Sequence, residues 1–405
     1  MKRLRLPGLL SVATAVIVCS SSTASAQTVP PGADERPTVE AGPFAFRPRL
    51  VVHSVGVDSN VFHDAENPKS DFTFGLQPDL EVTTKPGPVK IVWTLASDFL
   101  WYQTYTSERM ANRSTGVNVD LTLKRFRPYF SASVADTSAR PTPEIDARAH
   151  RVPRTYAAGA TLMLGTRMNV GFKVADGRER YEEHQQFRGE DLAKVLNHDS
   201  ASLEASFGVA LSPLTTFSVI VGRDDVTFEQ EPLRNSTSLR ISPTLTFNPA
   251  GIINGSAFFG YKRFDGADPS MPAYNGLAMN GAVSVLLGQR YRVESRFTRD
   301  VQYSYEEALP YYVLTGGRGT LATQLTGLLD FRLTAGLDRM SYRAYGGGAS
   351  PGTDRQHLYG GGIGFRIGDR KRIVIQAEFL ERNSSREHLR EFEKHRIFGT
   401  LTWGA

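Results

Sequence analysis

Charged side chains recur at every second position between Tyr291 and Asp300, and this spacing is the clearest chemical signal in the chain. The polar members are Arg292, Glu294, Arg296, Thr298 and Asp300, with Tyr291, Val293 and Phe297 between them. Successive residues of a β-strand point to opposite faces, so the five polar side chains share one face. Charged side chains on one face can line a channel, where they set its width and electric field. Alternatively, they only stabilise the sheet by pairing across neighbouring strands. The stretch predicts one or both of these roles.

The same reasoning assigns further charged residues to that polar face. They are Arg240, Arg318, Arg332, Asp338, Arg366, Arg372 and Glu378. The complete inward set has ten basic residues, Lys124, Lys173, Arg240, Lys262, Arg292, Arg296, Arg318, Arg332, Arg366 and Arg372, and six acidic residues, Asp120, Glu204, Glu294, Asp300, Asp338 and Glu378. Because a ring of basic side chains favours anions, the excess predicts a weakly anion-preferring channel, suited to acidic sugars or organic acids. A purely structural role for these residues stays open.

Motifs for metal or phosphate chemistry are missing from the sequence. It has no HExxH, no CxxC and no GxxxxGK[ST] loop, and no pair of its eight histidines has the spacing of metal ligands. We therefore predict no catalytic residues, no enzymatic activity, no metal and no cofactor.

Overall charge also excludes a class of partner. The chain has 47 basic and 42 acidic residues, and three of the cations, Lys2, Arg3 and Arg5, lie at the extreme N-terminus. The remainder is nearly neutral, and it contains no basic block interleaved with aromatic residues. We therefore expect no nucleic-acid partner.

Strands must position these charges, because apolar and polar residues alternate in many parts of the chain. In the stretch Lys90 to Gln103, the aromatic residues Trp93, Phe99 and Trp101 fall on one parity, and Asp98 falls on the other. Similar alternation recurs at 117–124, 202–211, 239–247 and 372–379. Repeated period-two patterning indicates strands rather than helices.

The connections between these strands predict a closed barrel. Eight short turns alternate with nine longer polar stretches, which gives 18 strands and places both chain ends on the short-turn side. Strands of this length and rhythm are typical of outer-membrane barrels. We predict an all-β, closed antiparallel transmembrane outer-membrane β-barrel of about 18 strands, with about 16 as the alternative count. Trp93, Phe99, Trp101 and Trp403 are candidates for the aromatic girdles at the membrane interfaces. A large soluble β protein is the alternative fold.

The N-terminus has the features of a secretory signal. A cationic start and the apolar run Leu9 to Val18 precede Ala24-Ser25-Ala26, a small-x-small cleavage site. We predict a signal peptide at 1–26, cleaved near Ala26, a flexible periplasmic lead-in at 27–45 and the barrel at 46–405. Cys19, the single cysteine, leaves a lipoprotein as the alternative.

One segment has a helical pattern instead. Leu192, Ala193, Val195 and Leu196 follow an acidic start within a long polar stretch. A surface turn of helix on an external loop is our preferred interpretation, and a plug helix folded into the barrel is the alternative.

Three stretches resemble a known family. VGVDSNVF (55–62), SDFTFGLQPDLEV (70–82) and FRGEDLAKVLNHDS (187–200) are similar to segments of the putative β-barrel porin 2 family of Gram-negative bacteria. The resemblance implies an outer-membrane barrel. Some members lie beside exopolysaccharide genes, which implies a role in polysaccharide export. Trp403 is two residues short of the C-terminus, whereas such barrels usually end on an aromatic residue.

Three functions follow as hypotheses. The leading one is a porin-like channel of the outer membrane for passive passage of small hydrophilic solutes, with anions preferred. The alternatives are an accessory barrel in exopolysaccharide export and a non-conducting structural or adhesive barrel. The expected partners are outer-membrane lipid, lipopolysaccharide, the barrel-assembly machinery, and a polysaccharide or small acidic solute. The sequence leaves open whether the pore is plugged.

Overall fold

The computed structural model describes residues 38–288, 290–347, 351–368 and 370–404. The predicted signal peptide and most of the predicted lead-in lie outside these ranges. Strands of the barrel are numbered in chain order. They are β1 (Phe44–Asp58), β2 (Asp71–Thr84), β3 (Val89–Tyr102), β4 (Met110–Leu121), β5 (Phe126–Asp136), β6 (Arg154–Leu164), β7 (Met168–Glu179), β8 (His198–Ser212), β9 (Thr215–Phe228), β10 (Ser236–Phe247), β11 (Ile253–Gly266), β12 (Tyr274–Leu287), β13 (Tyr291–Tyr303), β14 (Tyr311–Gln324), β15 (Leu329–Arg343), β16 (Thr353–Ile367), β17 (Lys371–Ser384) and β18 (Phe392–Trp403).

The sheet closes on itself. Each strand pairs antiparallel with the next, and β18 returns to pair with β1, where Leu50 lies opposite Trp403 and Asp58 opposite Arg396. A closed sheet has no free edge, so its backbone groups are satisfied within a lipid bilayer. The prediction of a closed antiparallel barrel of 18 strands is confirmed, and the lower alternative count is wrong. A short strand, Val39–Ala41, pairs with the start of β1.

Short and long connections alternate around the ring. The short turns are 85–88, 122–125, 165–167, 213–214, 248–252, 288–290, 325–328 and 368–370. Gly87, Gly165, Gly288 and Gly368 in these turns adopt φ between 54° and 77°, a region that favours glycine. The longer connections are 59–70, 103–109, 137–153, 180–197, 229–235, 267–273, 304–310, 344–352 and 385–391. We call the end of the barrel that carries them the mouth.

Large apolar side chains cover the outside of the barrel. Ile375 is 65% exposed, Ile397 64% and Phe259 56%, and they alternate with polar residues that point inward. A surface this apolar requires a lipid environment. The girdle candidates Trp93, Phe99, Trp101 and Trp403 are all exposed, with Trp93 toward the short-turn end of β3 and Trp101 toward the mouth.

A hydrophobic core lies at the mouth. Its residues are Ile145, Ala149, Tyr181, Phe187, Leu192, Ala193, Val195, Leu196 and Tyr305. They belong to three connections, 137–153, 180–197 and 304–310, which we together call the plug. The strands that flank 137–153 and 304–310 are nearly half the ring apart. Contact between these segments therefore occurs across the interior of the barrel.

The plug contains one short helix, α1 (Leu192–Leu196). The Asp191 side chain caps it by accepting a hydrogen bond of 3.0 Å from the Ala193 backbone N–H. Leu192 and Val195 are 1% and 0% exposed, so the preferred interpretation of a surface helix was wrong for this segment. Across the described ranges, no helix is long and apolar enough to cross a membrane.

Candidate functional site: the barrel interior

Ion pairs on the inner wall bridge strands that are not neighbours. Glu204 of β8 pairs with Arg240 of β10, with 3.0 Å between Oε1 and Nη2, and also with Lys173 of β7 at 3.3 Å. Gly222 of β9 lies between Glu204 and Arg240, and a Cβ there would be 3.4 Å from the Glu204 Cγ. The glycine leaves room for two side chains to meet over the middle strand.

The same arrangement recurs on the other side of the barrel. Asp330 of β15 pairs with Arg372 of β17, and the Arg372 Nε donates a hydrogen bond of 3.0 Å to Oδ2. Gly364 of β16 lies between them, and a Cβ there would be 2.5 Å from the Asp330 Oδ1. Lys262 of β11 likewise reaches Asp300 of β13, at 2.7 Å. These pairs stabilise the wall.

Other predicted residues form ion pairs within one strand or between neighbouring strands. Arg292 and Glu294 lie 4.0 Å apart along β13. Glu378 of β17 lies 3.7 Å from Arg396 of β18. Asp338 lies opposite Gly316 and Gln356 in the sheet, and Arg332 lies opposite Ala322 and Gly362.

Two inward-facing arginines of neighbouring strands form a like-charged pair in the sheet. Arg296 of β13 lies directly opposite Arg318 of β14, and both side chains are exposed. Neither forms an ion pair with any residue that the structure describes. Arg366 of β16 lies opposite Arg372 of β17, which makes a second pairing of like charges. Arginines at opposing positions of an inner wall create a locally positive field.

Several inner-wall charges escaped the sequence analysis. Arg47 pairs with Glu81 at 2.8 Å, Arg49 lies 3.7 Å from Asp79, and the His53 Nε2 lies 2.9 Å from the Asp98 carboxylate. The register of β1 shifts at a bulge between Val52 and Val55, so the outward parity changes within this strand. No constant alternation runs through β1, and this is why its charges were missed. Lys124 was assigned wrongly, because it lies in the turn 122–125 and not in a strand.

The plug is held by a buried carboxyl group. Glu144 of connection 137–153 is 1% exposed. Its Oε1 accepts a hydrogen bond of 2.6 Å from the Ser304 hydroxyl, and its Oε2 accepts one of 3.2 Å from the Tyr305 backbone N–H. Burial raises the pKa of Glu144 to about 7, against the smaller opposing effects of these hydrogen bonds and of Arg390.

Arginines and other carboxylates form a network of ion pairs beside Glu144. The Arg386 guanidinium binds Glu306 through two hydrogen bonds of 2.6 Å, and Arg390 donates a third of 2.6 Å to the same carboxylate. Arg382 donates to Asp354 at 2.6 Å and to Asp146 at 3.2 Å. Burial alone would raise the pKa of Glu306, but the hydrogen bonds and charges of Arg386 and Arg390 lower it.

No periodic signal in the sequence marks these residues. Glu144 and Asp146 lie in a connection with no strand or helix pattern, and their partners are more than a hundred positions away. The arrangement combines a charged inner wall with a mouth that the plug fills. The plug therefore restricts access to the charged interior.

A family model described as putative beta-barrel porin 2 matches residues 38–397. The comparison with curated proteins found no match. Among solved structures, Pseudomonas aeruginosa OccK2 (OpdF), in complex with glucuronate, is 9% identical with a TM-score of 0.49, and the alignment covers 88% of this chain and 98% of that one. P. aeruginosa opdK is 11% identical with a TM-score of 0.45 and the same coverage. The Neisseria meningitidis FrpB iron transporter (F3-3 variant) is 10% identical, with a TM-score of 0.42 over 85% of this chain, which spans only 63% of its length.

Proposed function

The chain belongs to the putative β-barrel porin 2 family of outer-membrane barrels, and on that premise we propose that it is a porin-like channel. It passes small hydrophilic solutes passively and prefers anions. Acidic sugars or organic acids are the solutes that fit this preference. The channel is not an enzyme and uses no cofactor.

The pairing of Arg296 with Arg318 supports the anion preference most strongly. These two arginines lie directly opposite each other in the sheet, are exposed to the interior and form no ion pair among the described residues. The inner-wall charges that the sequence analysis missed are mostly paired with each other, as in Arg47 with Glu81. The net excess of basic residues is therefore a weaker argument than this local pair.

Reversal potentials across a KCl gradient in planar bilayers test the proposal. We expect anion preference in the wild type and its loss when Arg296→Gln and Arg318→Gln are combined. Arg263→Gln is the matched control, because Arg263 lies exposed on β11 and pairs with Asp265 on its own strand. Cation preference in the wild type, or an unchanged potential in the double variant, would overturn the proposal.

A non-conducting structural or adhesive barrel is the second candidate, and the filled mouth supports it. Tyr305, Ile145 and Val195 are at most 2% exposed, so the plug is packed like a protein core. A protein that conducts in neither its wild-type form nor a variant with a loosened plug would favour this candidate. An accessory role in exopolysaccharide export also remains a hypothesis, and loss of surface polysaccharide in a deletion strain would favour it.

The apolar outer wall makes membrane lipid its immediate partner. Contact with lipopolysaccharide and handling by the barrel-assembly machinery are further parts of the proposal. So are export behind a signal peptide cleaved near Ala26 and the lead-in at 27–45. N-terminal sequencing of protein extracted from the outer membrane would identify the cleavage site.

A further inference from the structure

The mouth concentrates arginines in an unusual way. Arg234, Arg382 and Arg390 are the bulkiest fully buried side chains among the described residues. Burying a guanidinium group is unfavourable unless carboxylates and hydrogen-bond acceptors surround it. An apolar core would close a barrel mouth more simply, so this charged cluster suggests a role besides closure.

The geometry of the cluster is that of a carboxylate-binding site. Arg386 and Arg390 contact the Glu306 carboxylate with three N–O distances of 2.6 Å. Two parallel hydrogen bonds from one guanidinium group are the usual way in which proteins recognise carboxylates. Tyr342 supports the site, because the Arg386 guanidinium lies 4.3 Å from the centre of its ring.

Connection 137–153 places two more carboxyl groups beside Arg382 and Arg390. The Asp146 carboxylate accepts a hydrogen bond of 3.2 Å from Arg382, and Glu144 lies 4.0 Å from Arg390. Both come from one segment, which reaches these arginines from about a third of the ring away. The apolar anchors of this segment are few, namely Ile145, Ala147 and Ala149.

We propose that connection 137–153 is a displaceable gate over an anion site formed by Arg382, Arg386 and Arg390, in which Asp146 holds the place of a ligand carboxylate. The site rests on the proposed channel function and names its ligand class as sugar acids and related organic carboxylates. A carboxylate that enters the mouth competes with the gate for the arginines. The gate then leaves, and the path into the charged interior opens.

Charge balance indicates why the ligand must be an anion. Without the gate, the three arginines face only two nearby carboxylates, Asp354 and Glu306. An incoming carboxylate restores the third negative charge, which Asp146 provides in the closed state. A neutral sugar of the same size provides hydrogen bonds but no charge, so it does not displace the gate.

Thiol labelling in intact cells tests the gate without relying on conductance. Ala149 is 0% exposed, so a cysteine in Ala149→Cys reacts with a membrane-impermeant maleimide only when the gate opens. The probes are sodium galacturonate and, as the neutral match, galactose at equal ionic strength. The wild type, whose one cysteine is Cys19, gives the background. We expect galacturonate to accelerate labelling by about threefold or more, and galactose to leave it unchanged.

Adding Arg386→Gln to the Ala149→Cys protein should abolish the acceleration of labelling by galacturonate. Arg343→Gln is the matched control, because Arg343 lies at the mouth and donates to the Tyr342 carbonyl oxygen. Equal labelling with both sugars, or a galacturonate effect that survives Arg386→Gln, would overturn the inference. Should Arg386→Gln fail to fold, the comparison of the two sugars on the Ala149→Cys protein still decides.

The two proposals fail in different ways. Galacturonate-accelerated labelling in a protein that never conducts would reject the channel and keep the gate. Anion-selective conductance with labelling that galacturonate does not change would reject the gate and keep the channel.

Discussion

At the scale of single residues, the buried carboxyl group of Glu144 is the most unusual feature of the molecule. Its neighbours donate two hydrogen bonds, yet burial dominates and raises its pKa to about 7. The charged and titratable groups near it come from several elements. They are Arg390, Tyr305, Glu306, Arg234, Arg382, Tyr312 and Tyr342. The docked connection 137–153 therefore binds a proton more tightly than the undocked one.

This difference predicts that docking of connection 137–153 depends on pH. A raised pKa in the docked state means that docking is strongest at low pH and weakens as the pH rises through about 7. Between about pH 8 and pH 6, the opening equilibrium should fall by about tenfold. The measurement is the labelling rate of Ala149→Cys, normalised to that of Ser270→Cys, which lies exposed in connection 267–273.

Glu144→Gln is the control for this prediction, because the amide keeps the shape of the side chain and does not titrate. The variant should label at a rate that no longer changes across this range. Faster opening at low pH, or a pH dependence that persists in Glu144→Gln, would contradict the assignment.

At the scale of elements, glycines within strands decide which charges can meet. Gly222 and Gly364 each lie under an ion pair that joins the strands on either side. A larger residue at these positions would keep the partners apart. At these two positions, side-chain ion pairs join each strand to the next but one, in addition to the backbone pairing of neighbouring strands.

Gly364→Val should destabilise the barrel by about 1–3 kcal/mol, the usual effect of overpacking. The new side chain would occupy the space between Asp330 and Arg372, because a Cβ there lies 2.5 Å and 2.6 Å from their polar atoms. The midpoint of urea unfolding in detergent measures the change. Gly319→Val is the matched control on β14, where no atom lies within 4 Å of the added Cβ. Equal midpoints for the two variants would contradict the role of Gly364.

Helix α1 provides the second prediction at this scale. Val195→Asp should release connection 180–197 from the mouth, because it places an unpaired charge in a fully buried position. Single-channel conductance in planar bilayers should rise in this variant. Lys194→Gln, on the exposed side of the same helix, should conduct as the wild type does. A Val195→Asp protein that folds and conducts no more than the wild type would mean that α1 does not restrict the pore.

At the scale of the whole molecule, closure between β1 and β18 makes the sheet a barrel. Gly56 lies opposite Phe398 in this pairing, and a Cβ there would be 2.7 Å from the Phe398 Cα. The backbones approach too closely for any side chain at that position. Closure of the ring therefore requires glycine at this position of the β1–β18 pair.

Gly56→Leu should prevent closure. The wild type should show the faster gel mobility of an unheated barrel and lose it on heating, whereas Gly56→Leu should run at the unfolded position in both cases. Gly319→Leu, with open space around the added side chain, is the control and should behave as the wild type does. A wild-type protein that stays soluble in the periplasm, or an unaffected Gly56→Leu barrel, would contradict the role of closure.

Much of the fold could be predicted from the sequence. The alternation of Trp93, Phe99 and Trp101 with polar residues marks one face of β3, and the alternation of short and long connections gives the correct number of strands. Both signals are local, since the side-chain period of a strand and the residues of a tight turn depend only on near neighbours. The bulge in β1 interrupts that period, so the charges of β1 were missed.

The plug and the charge pairings were decided only by the tertiary structure. Glu144 meets Ser304 across 160 positions of sequence, and Asp146 meets Arg382 across 236. Period-two alternation predicts that Arg296, Arg318 and Arg372 point inward, but it does not predict which of them finds a carboxylate. The reason is physical: strand parity is a property of the local backbone, whereas these contacts exist only after the ring has closed and has brought distant connections together in its interior.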